Sequence, residues 1–286
     1  MAFESAVTHY DRALSALELV DVPDPIVRCD LQLALAHALF NAGDERRRDA
    51  VFAAAATARA LGAGERLAGA ALVLTMTSGT SDAVFDGELV ALLEDALAAV
   101  GDPPTGLRAQ LLSSLATELQ WSPQAERRMQ LARESLTVAR ASQDPLALTM
   151  VLTRGWVLLD GSQPMVGEFE ALIAEAEPLA RAAGDPNQLV NVLQSKAFMA
   201  ACRGNSEAFA AHLDEAARIA DGMRRPRLTW LTRCHASALA AYLGELDRAE
   251  QLANEAFELG QRSGVSDDTN ISFYGTYLYQ IRTAQG

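Results

Sequence analysis

Residues 184–205 read Gly-Asp-Pro-Asn-Gln-Leu-Val-Asn-Val-Leu-Gln-Ser-Lys-Ala-Phe-Met-Ala-Ala-Cys-Arg-Gly-Asn. Gly184 suits the residue that ends a preceding helix. Asp185 follows as an N-cap, its carboxylate accepting hydrogen bonds from the first free backbone N–H groups. Pro186 takes the first helical position, where the missing N–H would have been unpaired anyway. The helix then runs without a breaker to Arg203, and Gly204-Asn205 stops it.

The same punctuation recurs outward from this stretch. Asp-Pro stands at Asp24-Pro25, Asp102-Pro103, Asp144-Pro145 and Asp185-Pro186, and Arg225-Pro226 continues the series. Successive prolines lie 78, 42, 41 and 40 residues apart, and the first gap is two periods with a missing member near Gly64-Glu65. A second series falls halfway: Gly43-Asp44, Ser81-Asp82, Ser122-Pro123, Gln163-Pro164, Gly204-Asn205 and Gly244-Glu245. Each period of about 41 residues therefore holds two helices.

Apolar spacing agrees. Phe209, Leu213, Ala216 and Ala220 share one helical face, as do Leu246, Ala249, Leu252, Ala253, Ala256 and Leu259. No stretch alternates as a strand would. The spacing predicts fourteen helices, over 3–20, 24–42, 44–61, 65–77, 83–99, 103–120, 123–141, 145–160, 165–183, 186–203, 206–221, 226–243, 245–263 and 268–284, with a polar turn at Thr77–Ser81. One helical hairpin cannot bury its apolar stripe, whereas stacked hairpins can. The expected fold is all-α: a right-handed α-solenoid forming a single domain over 1–286.

Composition removes several function classes. The chain has 286 residues, 50% hydrophobic and 6% aromatic, with net charge −13. That balance argues against direct nucleic-acid binding, which needs a positive face. No apolar run is long enough to span a membrane, and the N-terminal stretch lacks the regions of a secretory signal. Lys196 is the only lysine and has no glycine loop before it, so this segment has no P-loop. H-E-x-x-H, G-x-S-x-G and C-x-x-C are absent. No cofactor is expected. Cys29, Cys202 and Cys234 are sparse and odd in number, which suits a reducing, cytoplasmic setting. Cys202, Cys234 and His235 make too few ligands for a zinc site.

Other side chains have two readings each. Trp121, Trp156 and Trp230 suit an aromatic anchor in a groove or a packing wedge between repeats. Arg46-Arg47-Arg48, Arg127-Arg128 and Arg224-Arg225-Pro226-Arg227 suit a solvated outer face or docking on an acidic partner. Glu94-Asp95 and Asp267-Asp268 are adjacent carboxylates that point apart on a helix, so neither pair forms an acid–base couple. No activated nucleophile is present, and no enzyme activity is expected.

Two segments resemble tetratricopeptide (TPR) units: Leu33-Ala34-Leu35-Ala36-His37-Ala38-Leu39-Phe40-Asn41-Ala42-Gly43-Asp44, and Ala240-Ala241-Tyr242-Leu243-Gly244-Glu245-Leu246-Asp247-Arg248-Ala249-Glu250. The hairpins are thus TPR-like, with a period longer than usual. Four further segments carry a narrower likeness: Arg28 to Leu35, Trp121 to Arg128, Pro226 to Trp230, and Gln280-Ile281-Arg282. Through them the chain resembles the C-terminal repeat region of large ATP-binding signalling proteins. These are LuxR-type, MalT-like transcription regulators and related chains with a class III nucleotidyl cyclase.

The resemblance implies a non-catalytic sensor region. Its partners would be a protein, a peptide or a small-molecule inducer, together with the ATPase and output domains of a parent chain. In TPR-type stacks the first helix of each pair lines the concave face. That implies a binding surface at Asp30, His37, Asn41, Asn191 and Gln194, and, in less certain register, Arg154, Trp156, Trp230 and Arg233. The alternative is a stand-alone adaptor or self-associating scaffold. Helix 3–20 has the pattern of a second helix and 268–284 the place of a first, so the expectation is a segment of a longer protein.

Overall fold

A computed structural model describes residues 2–75, 85–158, 163–223, 226–262, 265 and 267–285. The expected turn at Thr77–Ser81, the Ser81-Asp82 step and Arg224-Arg225 lie outside the described residues. So do the side chains of Trp121, Arg227, Asp267 and Asp268.

The described residues form fourteen α-helices and no strand. In chain order they are α1 (Ala2–Leu17), α2 (Pro25–Ala42), α3 (Arg47–Ala60), α4 (Gly64–Leu74), α5 (Gly87–Val100), α6 (Gly106–Glu118), α7 (Ala125–Ser142), α8 (Pro145–Thr153), α9 (Gln163–Ala183), α10 (Pro186–Cys202), α11 (Ser206–Met223), α12 (Pro226–Tyr242), α13 (Leu246–Arg262) and α14 (Asp267–Gln285). Short 3-10 stretches follow α6 (Leu119–Trp121) and α8 (Arg154–Leu158). The chain divides into two compact units, Met1–Val157 and Leu158–Gly286.

The caps explain most boundaries. Asp24 accepts from the N–H of Ile26, Asp144 from those of Leu146 and Ala147, and Asp185 from that of Asn187. Each is followed by proline at the first helical position, as the sequence requires. Gly43 ends α2 in the left-handed region at φ 71°, and Gln143 does the same for α7 at φ 55°. Asp102-Pro103 departs from the rule. A second proline, Pro104, disfavours helical geometry at Pro103. The start moves to Gly106, with Thr105 as N-cap accepting from the N–H of Arg108.

In unit 1, α2 packs on α3, α4 on α5 and α6 on α7. The first helices also pack on one another: α2 on α4, α4 on α6, and α6 on α8. One continuous core runs from Cys29 and Ala36 through Val51, Ala55, Ala68, Ala71, Leu92 and Leu93 to Leu111, Leu115 and Leu119. Alanine at so many contacts lets helix axes approach. Each fully buried leucine contributes roughly 1.5–3 kcal/mol.

Second helices are joined differently. Arg48 on α3 pairs with Asp86 and Glu88 at the start of α5, and Arg59 on α3 with Asp95 on α5. Glu94 on α5 reaches the other way, to Arg127 on α7. The adjacent carboxylates Glu94 and Asp95 thus serve opposite neighbours. Among the described residues, the runs at Arg46–Arg48 and Arg127-Arg128 are solvated in part and engaged within the chain. Arg46 holds Asp44 and Asp11, and Arg128 is buried against Gln120.

Unit 2 has smaller clusters between adjacent hairpins. Val190 and Leu193 meet Ala216 and Ala220, while Ala197 meets Phe209 and Leu213. Trp230, Leu231 and Cys234 meet Ala256 and Val265, and Ala240 meets Ala249 and Ile281. Here α12, α13 and α14 are tied by Asn270. Its Oδ1 accepts from Trp230 Nε1 at 3.0 Å and its Nδ2 donates to the Phe257 carbonyl at 2.9 Å. A Cβ on Gly260 would collide with the Asn270 amide. By contrast, Gly275 in the middle of α14 has open space around it.

These two glycines make a paired test. Gly260→Ala is expected to destabilise unit 2 by about 1–3 kcal/mol through overpacking. Gly275→Ala is expected to stabilise it by up to about 1 kcal/mol through helix propensity. Urea denaturation of both variants checks the contrast.

Candidate functional site

The candidate surface is formed by the first helices of each unit. A buried polar cluster lies in unit 1. Thr75 after α4, Ser114 on α6 and Arg154 after α8 fall one repeat apart, and they meet. Arg154 Nη1 donates to Ser114 Oγ at 2.7 Å, and Nη2 donates to the Thr75 carbonyl. The Thr75 and Ser114 hydroxyls share a hydrogen bond of 3.0 Å. Burial pushes the Arg154 guanidinium down to about 10, and the charge of Glu118 opposes that shift. It remains a cation at neutral pH. Thr117 on α6 and Thr149 and Thr153 on α8 are also buried, and their hydroxyls turn back to their own helices. Arg154 is 8% exposed, so in this arrangement its donors serve the stack of α4, α6 and α8.

Other expected surface residues differ in setting. Asp30 is exposed and bidentate with Arg66, at 2.7 and 3.1 Å, which holds its carboxyl below the usual range. His37 is exposed, and its carbonyl accepts from Asn41 Nδ2 at 2.8 Å. Trp156 is half-buried, with an indole N–H that is buried and unpartnered. Trp230 is 1% exposed, its indole N–H on Asn270, its ring 5.2 Å from that of Phe273. It is a packing wedge. Arg233 is exposed on α12.

Asn191 and Gln194 lie together on α10. Asn191 is half-buried and Gln194 buried; Asn191 Oδ1 and Gln194 Nε2 have no partner. Gln188, one turn earlier, is buried with an unpartnered Oε1. Unmade bonds on buried polar atoms are scarce in folded proteins and call for an explanation. Sequence reasoning missed Gln188, although its spacing from Asn191 puts it on the same face. It also missed the Thr75–Ser114 pair, which spacing by one repeat would have found.

Next to Cys234, His235 Nδ1 is buried and unpartnered, and burial pushes the ring down to about 4. Burial also pushes the Cys234 thiol up to about 12, far from a reactive thiolate. Among the described residues no group of three His, Cys, Asp or Glu is placed to hold a metal ion. Among them, too, no helix is long and apolar enough to cross a membrane.

No protein-family model matches the chain, and no curated protein matches it. Solved structures do. One is the crystal structure of a signal transduction ATPase with numerous domains (STAND) bearing a tetratricopeptide repeat sensor, from Pyrococcus horikoshii. It is 12% identical across 98% of this chain, with a TM-score of 0.59. This chain spans 43% of that protein's length. Another is a Rap protein complexed with competence and sporulation factor. It is 12% identical, covering 99% of this chain and 87% of that one, with a TM-score of 0.54. The shared feature is the fold: a TPR-like helical repeat of stacked hairpins.

Arg154→Ala is expected to destabilise unit 1 by about 2–5 kcal/mol, because it opens a cavity between α4, α6 and α8 and removes the donor from the buried Ser114 hydroxyl and Thr75 carbonyl. Arg154→Met, which keeps most of the volume and loses only the donors, is expected to cost less than Arg154→Ala, and urea denaturation of both variants checks the difference. His235 adds a pH dependence to unit 2. Its folded value lies below the ordinary 6.5, so the unfolded chain takes the proton first. Stability is complete above pH 6.5 and falls as pH drops toward 4, by at most about 3 kcal/mol, less what its residual exposure screens. His235→Leu is expected to flatten the slope of melting temperature between pH 7 and 5.

Proposed function

We propose that this chain is the sensor region of a signal-transducing, ATP-dependent transcription regulator. The observation that carries the reading is the inner face of α10. Asn191 and Gln194 lie there on a first helix with hydrogen-bonding capacity left over, in a fold like that of a sensor attached to a STAND ATPase. The region would be non-catalytic. It would take a peptide, a protein or a small inducer on the first-helix face. A ligand bound more tightly in one arrangement of the parent shifts the population toward it, releasing or restraining ATPase and output domains. Couplings of this kind are typically 5- to 150-fold, or about 1–3 kcal/mol. The LuxR-type resemblance favours a DNA-binding output, with a cyclase output as the other branch.

A second reading has its own observation. Ile271 and Tyr279 on α14 are 58% and 74% exposed, and Leu19 and Val22 in the turn after α1 are 87% and 85% exposed. Such apolar side chains suit end-to-end stacking of copies, as in a self-associating adaptor.

The reading frame around this segment and the solution mass together test both. The sensor reading expects a P-loop ATPase segment encoded upstream, and a helix-turn-helix downstream. In that parent, Asn191→Ala with Gln194→Ala should change ligand-dependent ATP turnover by about 5-fold or more. A frame lacking any nucleotide-binding segment sinks the sensor reading. A strict monomer by light scattering at high concentration sinks the scaffold.

A further inference from the structure

The connection between α1 and α2 is built from residues that a turn does not need. Leu19, Val20 and Val22 stand in it, and Ile26 and Val27 follow in the first turn of α2. Leu19 and Val22 are almost fully exposed, and Val20, Ile26 and Val27 are exposed as well. Glu18 lies 3.9 Å from Arg28, which sets the end of α1 against the start of α2 and gathers the five aliphatics at one corner of unit 1. Turns are ordinarily made of glycine, proline and short polar residues, because they face water. A contiguous group of exposed aliphatics instead marks a surface that another molecule covers.

Charge narrows the occupant. Glu18, Asp21, Asp24 and Asp30 border these side chains, and Arg28 is the one base in residues 18–30. Arg28 and Arg66 answer Glu18 and Asp30 in part, whereas Asp21 has no ion pair among the described residues. α1 ends here with no basic residue in its last turn, so its free carbonyls add partial negative charge. The opposite pole of α2 is already answered by the Asp24 cap. An anionic lipid surface or a nucleic acid is therefore repelled. Two copies of this chain meeting corner to corner would bring like carboxylates together. Nor does α14 supply a match: it exposes Ile271 and Tyr279, but residues 269–281 contain no lysine or arginine, and Arg282 is held by Glu250. The complement is a segment of a different protein, with apolar side chains on one side and lysine or arginine beside them.

We propose that the α1–α2 corner is a docking surface for a cationic amphipathic segment of a partner protein. Leu19 and Val22 supply the apolar contact and with it most of the affinity. Glu18 and Asp21 meet the flanking bases, which speeds encounter and fixes the direction in which the segment lies. This surface shares no residue with α10 and does not depend on the sensor reading.

The whole 286-residue chain is titrated against a fluorescein-labelled amphipathic peptide of leucine and lysine, about 18 residues long, with anisotropy as the readout. Two companion peptides replace lysine by glutamate or leucine by serine. Leu19→Ser with Val22→Ser is expected to weaken the leucine–lysine peptide by about 10-fold or more, at an unchanged melting temperature because both side chains stand in water. Glu18→Gln with Asp21→Asn is expected to weaken it by about 2- to 5-fold and to flatten its salt dependence. Ile271→Ser with Tyr279→Ser is expected to leave it unchanged. Both companion peptides are expected to bind about 10-fold more weakly or worse. Equal affinity of the native chain and the Leu19→Ser, Val22→Ser variant overturns the proposal, because general attraction to a chain of net charge −13 then accounts for binding. So does a glutamate peptide that binds as well as the lysine one, or no saturable binding up to about 100 μM. A dimer in light scattering that the Leu19→Ser, Val22→Ser variant abolishes gives the corner to a second copy and overturns it too.

Discussion

A helical run wetted on no side must be surrounded, and the C-terminal part of α6 is such a run. Leu111 through Glu118 form an unbroken buried run, more than two turns long. Such a helix is stable only with α4, α7 and α8 against it. The hairpin is therefore the repeating unit but not a stable body, and stability comes from neighbouring copies. First helices carry the apolar load on more than one face. Second helices such as α3, α5 and α7 bury one stripe and leave the other for charges. The net charge of −13 sits on a scaffold in which several arginines, Arg48, Arg59 and Arg127 among them, bridge one repeat to the next.

This division of labour separates structure from candidate function. Where polar groups along the first helices pair, they stiffen the stack, as Arg154 does with Ser114 and Thr75. Where they do not pair, as at Gln188, Asn191 and Gln194 on α10, a buried atom is left without a partner. The two sets look alike in sequence. Arg154 and Gln194 were both expected on the first-helix face, yet Arg154 donates to Ser114 and Thr75 while Gln194 Nε2 has no partner.

Much of the fold was legible from residues with strong local preferences. Asp24, Asp144 and Asp185 cap their helices because a short carboxylate reaches the free N–H groups within its own turn, and proline's geometry is covalent. The miss at Asp102-Pro103 has an equally local cause in Pro104. Gln143 is a subtler case: it ends α7 in a conformation normally reserved for glycine or asparagine, and only the adjoining start of α8 demands it. The candidate site was read less well. Repeat register placed Asn191 and Gln194 on a first helix. It placed Trp230 there in less certain register, and that ring is enclosed by Asn270 and Phe273 from α14.

The order of residues alone determined that this chain is a succession of α-helical pairs with a period near 41, because caps, breakers and apolar spacing act within a few residues of themselves. Only the tertiary structure decided which polar side chains are satisfied. A hydrogen bond such as Arg154 to Thr75 joins residues 79 apart, and whether it forms depends on the packing of three helices. Directional bonds between distant segments leave no local signature, so their presence or absence on α10 is a property of the folded stack.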